Sequence, residues 1–178
     1  GGLYLTENIT LDSLTMEYGY AIMVGGEVSG LWTSNNIYYI TSTITVSTGD
    51  TLTIEAGTRV RFTGDFSFMV NGTLIADGTS DNHIEFTSGF AIPDDGDWGS
   101  LVLNGGGHLL RYVDYSYAND GIIGGNASGS VIDHCTLSHL TLGSNGIYFT
   151  GSSNLTFTNN EISVSEIGIY AQNASGST

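Results

Sequence analysis

The chain has 178 residues, enough for one domain with a sizeable core and short for two. Eighteen acidic residues stand against three basic ones, Arg59, Arg61 and Arg111, with no lysine, and a net charge of −15 excludes the basic face that nucleic acid or an anionic membrane surface requires. Charged residues are only 12% of the sequence and apolar ones 40%, which excludes a charge-rich disordered chain, and no stretch reaches the roughly 20 apolar residues of a membrane span.

Twenty-six glycines against one proline, with many Ser, Thr and Asn and few strong helix formers, predict an all-β fold of many short strands. The single cysteine, Cys135, rules out an internal disulfide. The chain opens on Gly1-Gly2 with neither Met nor a basic-then-apolar leader, so any export signal is expected to have been removed or to lie outside this sequence. A lysine-free exterior rich in hydroxyls and amides suits an extracellular, cell-surface or envelope location. Five Asn-X-Ser/Thr triplets make Asn8, Asn71, Asn126, Asn154 and Asn173 glycosylation candidates, although this composition also generates such triplets by chance.

In chain order, residues 1–40 alternate least well, with Leu3-Tyr-Leu5, 20–24 and 37–40 as strands; they are expected to form the first coils and an N-terminal cap. Residues 41–178 then show a sustained pattern. Short alternating strands fall at 43–46, 51–54, 59–62, 68–70, 73–75 and 83–86, divided by turns such as Thr48-Gly-Asp50, Asn71-Gly72 and Asp77-Gly78. Further on, Leu110-Arg-Tyr-Val-Asp-Tyr115, Ile132-Asp-His-Cys-Thr-Leu137 and Phe157-Thr-Asn-Asn-Glu-Ile162 superpose, starting 22 and then 25 residues apart. Each is followed by a Gly-Ile pair, at 121–122, 146–147 and 168–169, and Asn-Ala-Ser-Gly-Ser recurs at 126–130 and 173–177.

A helix-free repeat of this length implies a parallel β-helix in which each repeat is one coil. Coils of 22–25 residues give about seven in this length, each leaning on its neighbours to bury an apolar ladder. Strand parity places Ile147 and Ile169 on one side and Tyr148 and Tyr170 on the other; with the isoleucines inside, the tyrosines become surface rings able to stack on sugars.

Thr51-Leu-Thr-Ile-Glu-Ala-Gly57, Val60-Arg-Phe62, Val70-Asn-Gly-Thr-Leu-Ile-Ala-Asp-Gly-Thr79, His83-Ile-Glu-Phe-Thr-Ser88 and Gly96-Asp-Trp-Gly99 together look like a known module. They resemble right-handed parallel β-helix domains of the pectin-lyase-like superfamily in exported bacterial and archaeal surface proteins, and the repeats at 110–118 and 159–170 are similar to that superfamily's later coils. The resemblance implies fold and export. It leaves activity open, since the superfamily includes polysaccharide lyases and hydrolases, adhesins and envelope or sheath proteins.

Lyases of this fold are expected to use acidic residues holding Ca²⁺ and a Lys or Arg base. Here lysine is absent, and Arg59 and Arg61 read as outward residues on a strand with acidic neighbours, as does Arg111 beside Asp114. The ordered acid, His-Gly and Arg-X-Lys set of the hydrolases is also missing. Asp114 with Asp133 is the nearest candidate carboxylate pair for glycoside hydrolysis. Asp94, Asp95 and Asp97 are a candidate Ca²⁺ cluster, with a solvated turn as the plainer reading. The four histidines, 83, 108, 134 and 139, lack metal-ligand spacing. Cys135 reads as a small, semi-buried turn residue opposite Asn160. The aromatics Trp32, Trp98, Tyr112, Tyr115 and Tyr117 are further candidates for a sugar-binding row.

No catalytic residues and no cofactor beyond that candidate Ca²⁺ are therefore assigned. The sequence stops at a coil boundary, so the helix is expected to continue beyond residue 178 or to stack on a neighbour. The leading expectation is a structural surface protein that self-assembles as a homo-oligomer or polymer into a sheath, surface layer or filament. A carbohydrate-active β-helix that binds or cleaves an extracellular glycan is the second, and an adhesin fragment the third.

Overall fold

A computed structural model describes residues 3–5, 9–11, 20–163, 166–172 and 176–178. Those residues form nineteen strands and no helix. The chain winds through three faces in turn, and every strand pairs in parallel with the strand one coil above or below it.

The first face is built from β1 (Leu3–Leu5), residues 21–24 of β3 (Ala21–Trp32), 37–40 of β4 (Ile37–Val46), β6 (Arg59–Phe62), β9 (Ile84–Ser88), β12 (Val113–Ser116), β15 (Thr136–Ser138) and β18 (Glu161–Ile162). The second holds 26–27 of β3, 44–46 of β4, β7 (Phe68–Val70), β10 (Leu101–Asn104), β13 (Ile122–Gly125), β16 (Asn145–Thr150) and β19 (Ile167–Gln172). The third holds β2 (Ile9–Leu11), 28–32 of β3, β5 (Thr51–Glu55), β8 (Thr73–Asp77), β11 (Leu109–Arg111), β14 (Val131–Asp133) and β17 (Thr156–Thr158). Successive strands on the first face mark about seven turns of a parallel β-helix. Within residues 1–40, the strands of 3–5 and 9–11 pair as coil strands, while residues 1, 2, 6–8 and 12–19, where a cap was expected, lie outside the described residues.

The three superposed segments stack as the repeat requires: Leu110, Ile132 and Phe157 form one column, and Tyr115, Leu137 and Ile162 another. Ile122, Ile147 and Ile169 line up in a third, but only the first two are inside as expected: Ile169, on the last strand of the stack, is 46% exposed because no described strand covers it from the far side. The period itself varies more than 22–25. Along the first-face column Ile22–Tyr38–Val60–Phe86–Tyr115, it runs from 16 residues between the first pair to 29 between Phe86 and Tyr115. The short coil arises because β3 turns the corners without loops, using Gly26 at φ 78° and Gly30 at φ 85°. The long one carries an excursion at residues 89–100 between β9 and β10.

Inward residues fill the tube. Ile44, Phe68, Leu101, Ile122 and Ile147 on the second face, and Ile54, Ala76, Leu110 and Ile132 on the third, are all buried. Ring stacking adds order where coils are wide: Trp32 lies on Tyr38 at 4.3 Å between centroids and Phe62 on Trp98 at 3.9 Å. The ring of Phe149 occupies the space left by the missing side chain of Gly124 one coil away. His108 is buried between coils; its Nδ1 accepts from the Leu74 amide at 3.2 Å and its Nε2 donates to the Gly105 carbonyl at 3.2 Å, and burial lowers its pKa. The imidazole is thus held neutral.

The repeated Gly before each second-face isoleucine has a steric cause. A Cβ on Gly121 would run into the carbonyl oxygen of Gly146, and one on Gly146 would sit 2.6 Å from the carbonyl oxygen of Gly168. At Gly168 a Cβ would meet nothing within 4 Å. Gly121→Ala is therefore expected to destabilise by about 1–3 kcal/mol or more, as overpacking against backbone does, whereas Gly168→Ala stays within about 0.5 kcal/mol of the parent. Urea or thermal denaturation of the two variants checks the contrast.

Candidate functional site

The second face carries the most continuous outward row. Because Ile147 is buried and strand residues alternate, its neighbour Tyr148 must point to solvent. The same parity in the coils on either side makes a column of Thr45, Met69, Val102, Ile123, Tyr148 and Tyr170, all partly exposed. Tyr148 and Tyr170 stack with centroids 4.9 Å apart and planes 9° from parallel. That separation is the coil spacing itself, so the rings lie face to face, one coil above the other, and cover each other's inner faces. Alongside runs a polar column, Asn104, Gly125, Thr150 and Gln172, which Asn71 extends by accepting from Asn104 Nδ2 at 3.1 Å. An apolar and aromatic strip beside hydroxyl and amide groups can hold a sugar chain by contact with its C–H groups and by its hydroxyls.

The other aromatics expected in such a row do not join it. Trp32 and Trp98 are wholly buried, and the Trp98 indole nitrogen donates to the Ser116 carbonyl at 2.8 Å. Tyr115 is a core residue whose hydroxyl donates to the Asp120 carbonyl at 2.8 Å. Tyr112 and Tyr117 are not strand neighbours of it but left-handed turn residues, at φ 49° and 63°, that bracket β12. Their rings stack on His134 and His139, each at 4.6 Å, one coil on.

The charged candidates separate as well. Arg61 pairs with Glu85 at 2.7 Å and Arg111 with Asp77 at 3.1 Å, while Arg59 is exposed on the same strand as Arg61. Asp114 and Asp133 are not brought together as a pair: Asp133 lies on the third face opposite Arg111, and Asp114 on the first face opposite Glu85. The Asp133 carboxylate accepts from the Thr158 hydroxyl at 2.6 Å, the main cause of a pKa lowered to about 2, with burial opposing and His134 and Asn159 assisting.

Asp94, Asp95 and Asp97 do not converge on a point. Asp97 accepts from the Ser88 hydroxyl at 2.6 Å and the Asp94 amide at 2.9 Å, Asp94 accepts from the Asp95 amide at 3.0 Å, and Asp95 faces His139 at 3.5 Å. Among the described residues no three His, Cys, Asp or Glu side chains form a metal-ligating group. These carboxylates tie down the 89–100 excursion instead.

Asn71, Asn126 and Asn154 are exposed and all occur in turns leading from the second face to the third, so these glycosylation candidates share one edge of the rod. Asn8 and Asn173 lie outside the described residues. Cys135 is fully rather than partly buried. Its amide donates to Asn160 Oδ1 at 2.9 Å, and Asn160 Nδ2 returns a bond to the Ile132 carbonyl at 2.8 Å, so the turn residues satisfy backbone groups of the neighbouring coil. No helix of the described residues is long and apolar enough to cross a membrane.

Two family profiles match the chain: the pectate-lyase-like beta helix domain over residues 27–130 and the right-handed beta helix region over residues 99–178. No curated protein and no solved structure gives a significant match.

Burial raises the Cys135 thiol to about 12, so it is expected to stay unreactive towards a disulfide reagent at pH 8 until the protein unfolds, as a thiol titration with and without denaturant would measure. The lowered Asp133 pKa contributes stability that is complete above its ordinary value near 3.8 and disappears as pH falls towards 2. Asp133→Asn should therefore flatten the fall in melting temperature between pH 5 and pH 2.5, by an amount read from melting curves at both.

Proposed function

The chain belongs to the pectate-lyase-like β-helix domain family, a right-handed parallel β-helix, and from that premise we propose that it holds an extracellular polysaccharide along the second face. The observation that carries this reading is the outward Tyr148–Tyr170 stack, continuous with Ile123, Val102 and Met69 in one apolar column. From Met69 to Tyr170 the column crosses four coil steps, about 19 Å at the usual strand spacing, which is length for several sugar residues in line. Parallel stacking of coils keeps the strip straight, so the rod is pre-organised for an extended chain and little ordering is lost on binding.

Binding, not cleavage, is what this strip supports. Glycoside hydrolysis needs two carboxylates about 5–9.5 Å apart, and the column from Thr45 to Tyr170 contains no acid. Apolar contact and hydrogen bonding to sugar hydroxyls require no cofactor. An exported location is supported by the lysine-free surface and by the exposed edge bearing Asn71, Asn126 and Asn154.

Self-assembly into a surface layer, sheath or filament is a second reading, favoured by Ile92 and Leu142. These loop side chains are 88% and 85% exposed in a strongly acidic chain, positions that a contact between copies would cover.

The test is affinity electrophoresis and calorimetry against neutral and acidic polysaccharides, with Tyr148→Ala and Tyr170→Ala alongside. The expected outcome is binding that each substitution weakens about tenfold, or about 1.4 kcal/mol, with melting temperature unchanged. Retained affinity in both variants, or release of shortened products, would count against the proposal. Filaments or lattices in electron micrographs would support the second reading.

A further inference from the structure

A different face carries a polar recess that the second-face strip does not use. On β6, β9 and β12 the inward residues Val60, Phe62, Ile84, Phe86, Val113 and Tyr115 are buried, which turns Arg61, Glu85, Asp114 and Ser116 outward, while Thr87 is only 8% exposed. The register sets Arg61 beside Thr87 and Glu85 beside Asp114, and Ser116 follows on the same strand. Arg61, Glu85, Thr87, Asp114 and Ser116 line a recess of about 270 Å³.

Each polar group in it is already positioned. Arg61 Nη2 donates to Glu85 Oε2 at 2.7 Å, Thr87 and Ser116 share a hydroxyl–hydroxyl bond at 2.8 Å, and His83 Nδ1 lies 3.0 Å from Asp114 Oδ1. Yet Arg61, Glu85 and Asp114 remain 30%, 40% and 47% exposed in their side chains, so each keeps bonding capacity for a ligand. Two carboxylates offer acceptors, while the guanidinium and the one hydroxyl of the Thr87–Ser116 pair that does not donate to the other offer donors. That is the complement of adjacent sugar hydroxyls, each of which donates once and accepts.

Size and charge narrow the ligand. The volume falls just below the roughly 300–1,000 Å³ of sites for drug-sized molecules, which suits one sugar residue. Two carboxylates against one guanidinium, on a chain of net charge −15, disfavour a uronate or other anion. We infer that this recess binds the diol edge of a single neutral sugar residue, as a site separate from the Tyr148–Tyr170 strip. Both carboxylates serve there as acceptors and no bond is broken.

The experiment is ¹H–¹⁵N NMR titration of the folded chain with glucose, galactose, mannose and fucose, beside galacturonate, glucosamine and CaCl₂. A neutral sugar is expected to shift the amides of residues 61, 85–87 and 114–116. Asp114→Asn and Glu85→Gln should each weaken that binding about tenfold, while Tyr148→Ala leaves it unchanged, which separates this site from the strip. Ser116→Ala, a smaller change, should weaken it less and serves if a carboxylate variant fails to fold. The inference is overturned if no neutral sugar shifts these amides, if galacturonate, glucosamine or Ca²⁺ alone does so, or if folded Asp114→Asn binds like the parent.

Discussion

Backbone pairing between coils, at about 4.8 Å per step, is the constraint on which the rest of this molecule depends. Every coil must present its amides and carbonyls to the next in parallel register, so residues at one position of the repeat are forced into a column. An apolar residue at such a position therefore reinforces its neighbours, as Ile122 and Ile147 do. A side chain in the wrong place is equally shared. Gly121 and Gly146 leave no room for a Cβ because the next coil's carbonyl already occupies that space, and Phe149 fits only because Gly124 is bare.

The same columns decide the chemistry of the surface. Where the outward positions are apolar or aromatic, as from Met69 to Tyr170, stacking makes a strip whose repeat is the coil spacing. Where they are charged, neighbouring coils neutralise one another: Arg61 meets Glu85 and Arg111 meets Asp77. An acidic chain with three arginines thus places two of them against carboxylates and leaves much of its negative charge exposed. The rod needs no moving part to offer two unlike faces, since strand parity and register determine what each one shows.

Part of the candidate sites is legible in the amino-acid sequence. The outward direction of Tyr148 and Tyr170 follows from Gly-Ile-Tyr repeated at a regular distance, because burial of Ile147 settles the direction of Tyr148 and the parallel register carries it to Tyr170. The Glu85–Asp114 pair is not legible there. It joins residues 29 apart, and the excursion at 89–100 makes that coil longer than the 22–25 residues seen later in the chain. Trp98 misleads for a related reason. It lies in a loop segment of Gly and Asp that reads as surface, yet the loop folds back and lays the indole on Phe62. Tyr115 reads as a member of an exposed tyrosine series, whereas left-handed backbone at Tyr112 and Tyr117 breaks the strand on both sides and turns those rings away.

From composition and repeat spacing alone come the all-β class, the parallel β-helix, the stacking of the three C-terminal segments and the outward direction of Tyr148 and Tyr170. These are properties of local alternation and of a period, and both are written along the chain. Which coils are long, which aromatics fold inward, and which acid stands beside which base are decided only in three dimensions. Loops of unequal length change the sequence distance between stacked residues without changing their spacing in space, so lateral partners across the coils cannot be counted off from the sequence.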